Sequence, residues 1–240
     1  MTAEKQNVRV FTSQPHPCPY LPGRTDSAIF LDPAFPLDSA TFGELIRRGF
    51  RRSGALVYRP QCPACRACVA VRVPVREFRP DRSQQRTWHA NRDLRITERP
   101  AAFDEQHFRL YLAYQAGRHP GGSMDDPDPD KYHAFLHAPF ADTVLYEVRS
   151  EERLLAVTVA DKVDDGLSAV YTFYDPGEAR RGLGTYAILQ LIHRAREMGR
   201  AWAYLGYWIA GSRKMSYKNR FQPLEGFLDN RWRRIERPAT

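Results

Sequence analysis

Cys62, Cys65 and Cys68 fall within the seven residues CPACRAC, and a fourth cysteine, Cys18, stands alone in HPCPYLPGR. Three thiols at two-residue spacers plus one upstream form a four-thiolate set with metal-ligand spacing, which suits zinc or an iron–sulfur cluster. The same residues also work as small buried apolar groups or, singly, as a nucleophile. Disulfides are not expected. The first 20 residues have no apolar signal core, and no stretch approaches the roughly 18 apolar residues that a membrane span needs. The chain therefore reads as soluble and cytoplasmic, without a membrane partner, in a compartment that keeps thiols reduced.

A second chemical feature lies far downstream, in DPGEARRGLGTYAILQLIHRAREMGR (175–200). Gly182 and Gly184 let the backbone come close to a ligand, and the helix that follows would aim its first N–H groups there. Such a loop can hold an anion or polarise an acyl carbonyl. Tyr174, Asp175, Tyr204 and Tyr207 sit at predicted strand ends near this loop. Tyr174, Asp175 and Tyr207 are the candidates to relay a proton or orient an amine.

Charge is unevenly spread. Residues 1–100 carry 17 Lys and Arg against 9 Asp and Glu, whereas residues 101–240 carry 19 of each. The last 41 residues are basic again, with 9 against 3. Two basic zones flanking an acidic middle are the electrostatic footprint of a polyanion partner.

The elements that must position these groups follow from pattern. DSATFGELIRRGF (38–50) predicts a helix capped by Ser39, with Phe42, Leu45 and Ile46 on one face. SGALVYRP (53–60) and VAVRVPV (69–75) read as strands, and SQQRTWHANRDL (83–94) as a polar, basic helix. Charge balance shifts at RPAAFD (99–104), the expected boundary between a basic N-terminal domain, 1–100, and a second domain, 101–240. The second opens with a helix over 104–119. An acidic loop (121–132) and a short helix follow. TVLYEV, LLAVTVAD and LSAVYTFY (143–148, 154–161, 167–174) then predict an antiparallel meander. After the glycine loop comes a helix with Ala187, Ile188, Leu191, Ile192 and Ala195 on one side, and then a strand over 201–209.

Antiparallel strands, a glycine loop, an amphipathic helix and a further strand resemble the core of the GCN5-related N-acyltransferase fold. The expected fold class is therefore α+β, an N-acyltransferase-like domain preceded by a smaller, cysteine-containing α/β domain. That fold's signature has Arg or Gln three residues before the first glycine. Ala179 stands there instead, which counts against coenzyme A.

The motifs CPYLPGR (18–24), GFRRSGALVYRPQCPACRACVAVRVPV (49–75), RSQQR (82–86) with Asn91, and YLGYWIAGSRKMSYKNRFQPLE (204–225) together resemble the bacterial aspartate/glutamate leucyltransferases, relatives of the eukaryotic arginyl-tRNA–protein transferases. The resemblance spans residues 8–235. RSQQR departs from the family, which more often has a further Arg. The resemblance implies transfer of leucine from leucyl-tRNA to proteins beginning with Asp or Glu, a product that is an N-degron. Arginine's planar fork pairs bidentately with carboxylate. Arg24, Arg51, Arg52 and Arg86 are therefore the candidate readers of the acidic acceptor, with Asn91 as polar helper. Arg213, Lys214, Lys218 and Arg220 are candidate phosphate contacts, with Tyr217 placed to stack on an unpaired base of the tRNA. Eukaryotic relatives are linked with an iron–sulfur cluster, which bears on the four cysteines.

The reaction is aminolysis of an ester. A terminal amine with a pKa of about 7.7–8.0 is appreciably neutral near pH 7, so neither a strong base nor a cofactor is required. Three rivals remain: an arginyl donor, a coenzyme-A-dependent N-acetyltransferase, and a metal-stabilised nucleic-acid-binding module without catalysis.

Overall fold

The computed structural model describes residues 8–121 and 126–236, so residues 122–125 of the expected acidic loop lie outside it. Four short strands come first: β1 (Val10–Thr12), β2 (His16–Pro17), β3 (Thr25–Asp26) and β4 (Ala28–Leu31). Helix α1 (Ser39–Arg47), β5 (Arg51–Ser53), β6 (Leu56–Pro60) and β7 (Val69–Pro74) follow. Then come α2 (Arg82–Ala90), β8 (Arg95–Pro100), α3 (Glu105–Arg118) and α4 (Pro129–Leu136). The chain continues through β9 (Asp142–Ser150), β10 (Arg153–Val163), β11 (Gly166–Tyr174), α5 (Leu183–Glu197), β12 (Trp202–Trp208), β13 (Leu224–Leu228) and β14 (Arg231–Ile235). Two 3₁₀ turns, Pro176–Arg181 and Ser216–Arg220, flank α5 and β12.

Aspartates start most helices. Asp38, not the expected Ser39, caps α1 through the Thr41 amide at 2.7 Å. Asp81 and Gln84 close a reciprocal capping box on α2, and Asp104 and Asp128 cap α3 and α4. These oxygens satisfy amides that have no intrahelical partner. Helix α5 is the exception: Gly182 precedes it at φ +62°, and no side chain caps it.

Mixed α+β architecture follows from two main sheets. The smaller runs β1-β4-β6-β5 and packs with α1; the larger runs β14-β13-β7-β12-β11-β10-β9-β8. Strands β8 to β11 form the expected antiparallel meander. SGALVYRP breaks into the β5–β6 hairpin, because Gly54 turns at φ +58°. VAVRVPV becomes β7, but it lies inside the large sheet between β13 and β12. The large sheet thus takes strands from both sides of residue 100.

Each face of the large sheet buries a different layer. Leu189, Leu191, Ile192 and Ala195 of α5 pack with Val71, Val73, Ala203 and Leu205. The opposite face carries Phe108, Tyr111 and Tyr114 of α3 against Val157, Val159 and Phe173. On that side α1 inserts Phe42 and Ile46 beside Tyr204.

Candidate active site

Strands β11 and β12 pair in parallel over only three positions, Gly166–Trp202 to Ser168–Tyr204. Beyond Ser168 and Tyr204 the two strands no longer pair with each other, so the large sheet splits in its middle. Opposite β7, one extra residue sits between Tyr204 and Gly206, and Gly206 adopts φ +78°. This bulge reverses the alternation of β12. Tyr204 and Tyr207, three residues apart, therefore both border the same side chain, Arg51.

Arg51 is 5% exposed, with its guanidinium carbon 5.5 Å from the Tyr204 ring centre and 5.8 Å from that of Tyr207. Its Nη1 donates to the carbonyls of Phe50 and Ile46. Its Nε and Nη2 are buried without a hydrogen-bond partner. These two groups form one edge of the guanidinium, the edge that takes a carboxylate bidentately. Burial pushes the Arg51 guanidinium below its usual range, and only tyrosine hydroxyls oppose that shift.

The other candidate acceptor residues have different surroundings. Arg52 is consumed by a buried pair with Asp161 and by bonds to Thr143, Leu136 and Gly54, so it clamps β5 to β10 and has no edge to offer a ligand. Asn91 is fully buried, and its Nδ2 donates to the carbonyls of Thr87 and Arg181, both at 2.8 Å. It therefore ties α2 to the turn before Gly182. Arg86 is exposed on α2, and Arg24 is exposed in the link from β2 to β3.

Around the glycine loop the candidates divide. Tyr174 lies against Gly184, where an added Cβ would come 3.3 Å from the ring, and packs at 4.9 Å on Tyr114. Gly184 is thus what allows Tyr174 to sit over the start of α5. Asp175 accepts from the Gly177 amide and pairs with Arg153, which makes it an anchor of the 3₁₀ turn. Tyr207 donates its hydroxyl to the Gly49 carbonyl at 2.8 Å, and burial raises its pKa. Its ring packs against the Arg51 guanidinium, and its hydroxyl is committed to the Gly49 and Tyr58 carbonyls.

Of the basic loop, Arg213, Lys214 and Arg220 are exposed and Tyr217 is 42% exposed. Lys214 reaches His119 at the end of α3: burial first, then Lys214, lowers the His119 pKa. Lys218 differs. It is 7% exposed, and its Nζ donates to the Tyr207 carbonyl at 2.6 Å. A side chain so enclosed is not a surface phosphate contact. Alternating polarity in the sequence gave no sign of its burial.

The cysteines are brought together. Cys62 is buried, with its Sγ 3.5 Å from Asp26 Oδ1 and 3.6 Å from the Ser27 carbonyl. Burial pushes the Cys68 thiol up to about 12, and Cys62, Asp26, Cys18 and Cys65 add to the shift. All four are free thiols. Among the described residues, no group of three His, Cys, Asp or Glu side chains converges to hold a metal ion. Cys62, Cys65 and Cys68 line a cavity of about 390 Å³ bordered by Tyr207. Tyr58, pushed up to about 12 by burial, links the two regions: Tyr20, Arg51, Cys68 and Asp26 all act on it.

Profiles of the family "Arginine-tRNA-protein transferase" match this chain twice, the N-terminal part at residues 16–86 and the C-terminal part at 106–228. The chain belongs to the arginyl-tRNA–protein transferase family. It is 48% identical to an aspartate/glutamate leucyltransferase of Nitrosococcus oceani, over 94% of this chain and 95% of that one. It is 45% identical to one of Hahella chejuensis, over 93% and 96%. A relative of the same name from Pseudomonas aeruginosa is 43% identical, over 95% and 97%. Two solved structures resemble it at 12% identity. One is the C-terminal domain of a putative lysylphosphatidylglycerol synthetase from Agrobacterium fabrum, with TM-score 0.46, covering 69% of this chain and 50% of that one. The other is L-PGS from Bacillus licheniformis, with TM-score 0.49, covering 67% and 58%. As a family member the chain is a transferase, and among the described residues no helix is long and apolar enough to cross a membrane.

Proposed function

We propose that this enzyme moves leucine from leucyl-tRNA to the α-amine of proteins whose first residue is Asp or Glu, and so creates an N-degron. The observation that carries the reading is the buried, unpartnered edge of Arg51. A desolvated cation with no anion is costly, and an acceptor carboxylate supplies the missing partner. The relatives' names support the same donor and acceptors.

The N-acyltransferase-like reading of residues 101–240 is supported by the split between β11 and β12 and by the uncapped start of α5. The neutral α-amine attacks the leucyl ester carbon. The carbonyl oxygen becomes an oxyanion that the first amides of α5 can stabilise. The bond to the ribose oxygen breaks, the peptide bond forms, and the proton lost from the amine ends on the ribose hydroxyl. No residue need act as a strong base, and positioning supplies much of the rate. Residues 1–100 contribute acceptor recognition through Arg51, and the exposed Arg213, Lys214 and Arg220 contact tRNA phosphates, with Tyr217 stacking on its 3′ end. The four cysteines support the wall beside the Arg51 pocket.

The test is label transfer. Leucyl-tRNA, arginyl-tRNA or acetyl-CoA is offered with peptides beginning with Asp, Glu or Ala. Label should pass from leucyl-tRNA to the Asp and Glu peptides. Label on the Ala peptide, or arriving only from acetyl-CoA, would overturn the reading; label only from arginyl-tRNA would change the donor.

A further inference from the structure

Lys218 is a second buried cation beside the first. Its Nζ donates to the Tyr207 carbonyl at 2.6 Å and to Met215 Sδ at 3.5 Å. An ammonium has three donors, so one N–H remains for a ligand and the thioether is a weak acceptor that a carboxylate can replace. Arg51 and Lys218 meet at Tyr207, one over its ring and the other on its carbonyl. The bulge creates the space: the ammonium lies 3.6 Å from where a Cβ of Gly206 would be.

The groups facing Lys218 are few. Arg51 comes from β5, Tyr207 from β12, and the Tyr217 ring, 5.8 Å away, from its own turn. The Tyr207 hydroxyl is already given to Gly49. None of these groups is a carboxylate. When Lys218 is protonated, two adjacent buried cations repel each other and gain no compensating anion from the fold.

We propose that Lys218 acts with Arg51 to hold the side-chain carboxylate of the acceptor's first residue, and so sets the preference for an acidic N-terminus. The proposal rests on the acceptor reading above and adds a specificity residue to it. Proton linkage follows. Burial, and then Arg51, holds Lys218 down at about 7, so much of it is neutral at pH 7.5. A bound carboxylate favours the ammonium, so acceptor binding takes up a proton.

The experiment is calorimetric binding of an Asp-initiated peptide and its Asn-initiated match to the full-length protein at pH 7.5. Two buffers of different ionisation enthalpy are used, with wild type, Lys218→Met, Lys218→Arg and Arg51→Met. Wild type should prefer the Asp peptide by roughly tenfold or more, the scale of a charge-assisted hydrogen bond, and bind it with proton uptake. Lys218→Met should lose most of the preference and the uptake, with Asn-peptide affinity and the KM for leucyl-tRNA unchanged. Lys218→Arg should keep the preference without the uptake. If Lys218→Met keeps the preference while Arg51→Met loses it, Lys218 is not a reader, although the acceptor pocket stands. Equal loss for both peptides, or a changed KM for leucyl-tRNA with intact preference, also overturns the proposal. If wild type has no preference, the acceptor reading itself fails.

Discussion

Arg52 and Asp161 face each other with two nitrogen–oxygen distances of 2.7 Å, and each side chain is only 1% exposed. Arg51, one residue earlier and equally enclosed, meets no carboxylate. Adjacent arginines thus differ: one is closed within the fold, and the other keeps a buried, unpartnered edge.

That contrast predicts a split between stability and activity. Arg52→Met strands a buried Asp161 and should lower the unfolding free energy by about 3–5 kcal/mol, read by urea denaturation. Arg51→Met removes an uncompensated cation and should leave stability unchanged or higher. It should cut kcat/KM for Asp peptides by roughly 10–100-fold and spare the KM for leucyl-tRNA.

The same pair marks what the sequence could reveal. The meander, the glycine loop and the helices over 39–47, 105–118 and 183–197 were legible because each has a clear period or punctuation. In RRSG, nothing local distinguishes a clamped arginine from an open one; Asp161 decides it, 109 residues away. Nor does anything local show that Asn91 ties α2 to a turn, since its partner Arg181 comes 90 residues later. Strand β7 was legible as a strand, but its place in the large sheet was not, because pairing with β12 and β13 is non-local. Lys218 looked like its exposed neighbours until the bulge at Gly206 made room for it.

Asn91 should behave as a positioning residue. Asn91→Ala removes two 2.8 Å bonds, one to Thr87 within α2 and one that holds Arg181 in the turn before Gly182. The expected result is a fall in kcat of about tenfold, the scale of one lost buried hydrogen bond. The ratio of Asp-peptide to Asn-peptide use should not move. A change in that ratio would put Asn91 in the acceptor pocket after all.

Gly182 and Gly184 should fail differently. Gly182→Ala forces a side chain to φ +62° and should cost about 1–2 kcal/mol of stability. Gly184→Ala crowds Tyr174 at 3.3 Å and should act mainly on kcat. Adding Tyr174→Ala relieves the crowding, so the double variant should lose less than the two singles combined, as measured by a kinetic double-mutant cycle.

Glu147 sets an acid limit on the fold. Burial alone would raise its pKa, but hydrogen bonds from Arg149 and His107 outweigh burial and hold it at about 2, below the ordinary 4.5. A carboxyl depressed in the folded state contributes stability that is present above the unfolded value and lost as pH falls toward the folded one. Urea unfolding at stepped pH should therefore show a decline between about 4.5 and 2. Glu147→Gln should flatten that part of the curve.

The exposed basic loop should govern the donor and not the acceptor. Arg213, Lys214 and Arg220 are open to solvent on the chain that runs from β12 into the turn holding Lys218. Each phosphate contact releases counterions, with a slope of about 0.7 per contact on single-stranded nucleic acid and 0.9 on duplex DNA. Changing all three to Ala should raise the KM for leucyl-tRNA. It should also reduce the salt dependence of that KM by about 2–3 in log–log slope. The Asp-peptide KM should stay as it is, because Arg51 and Lys218 lie buried behind the loop. A triple variant with altered peptide preference and an unchanged salt slope would move tRNA binding to another face of the protein.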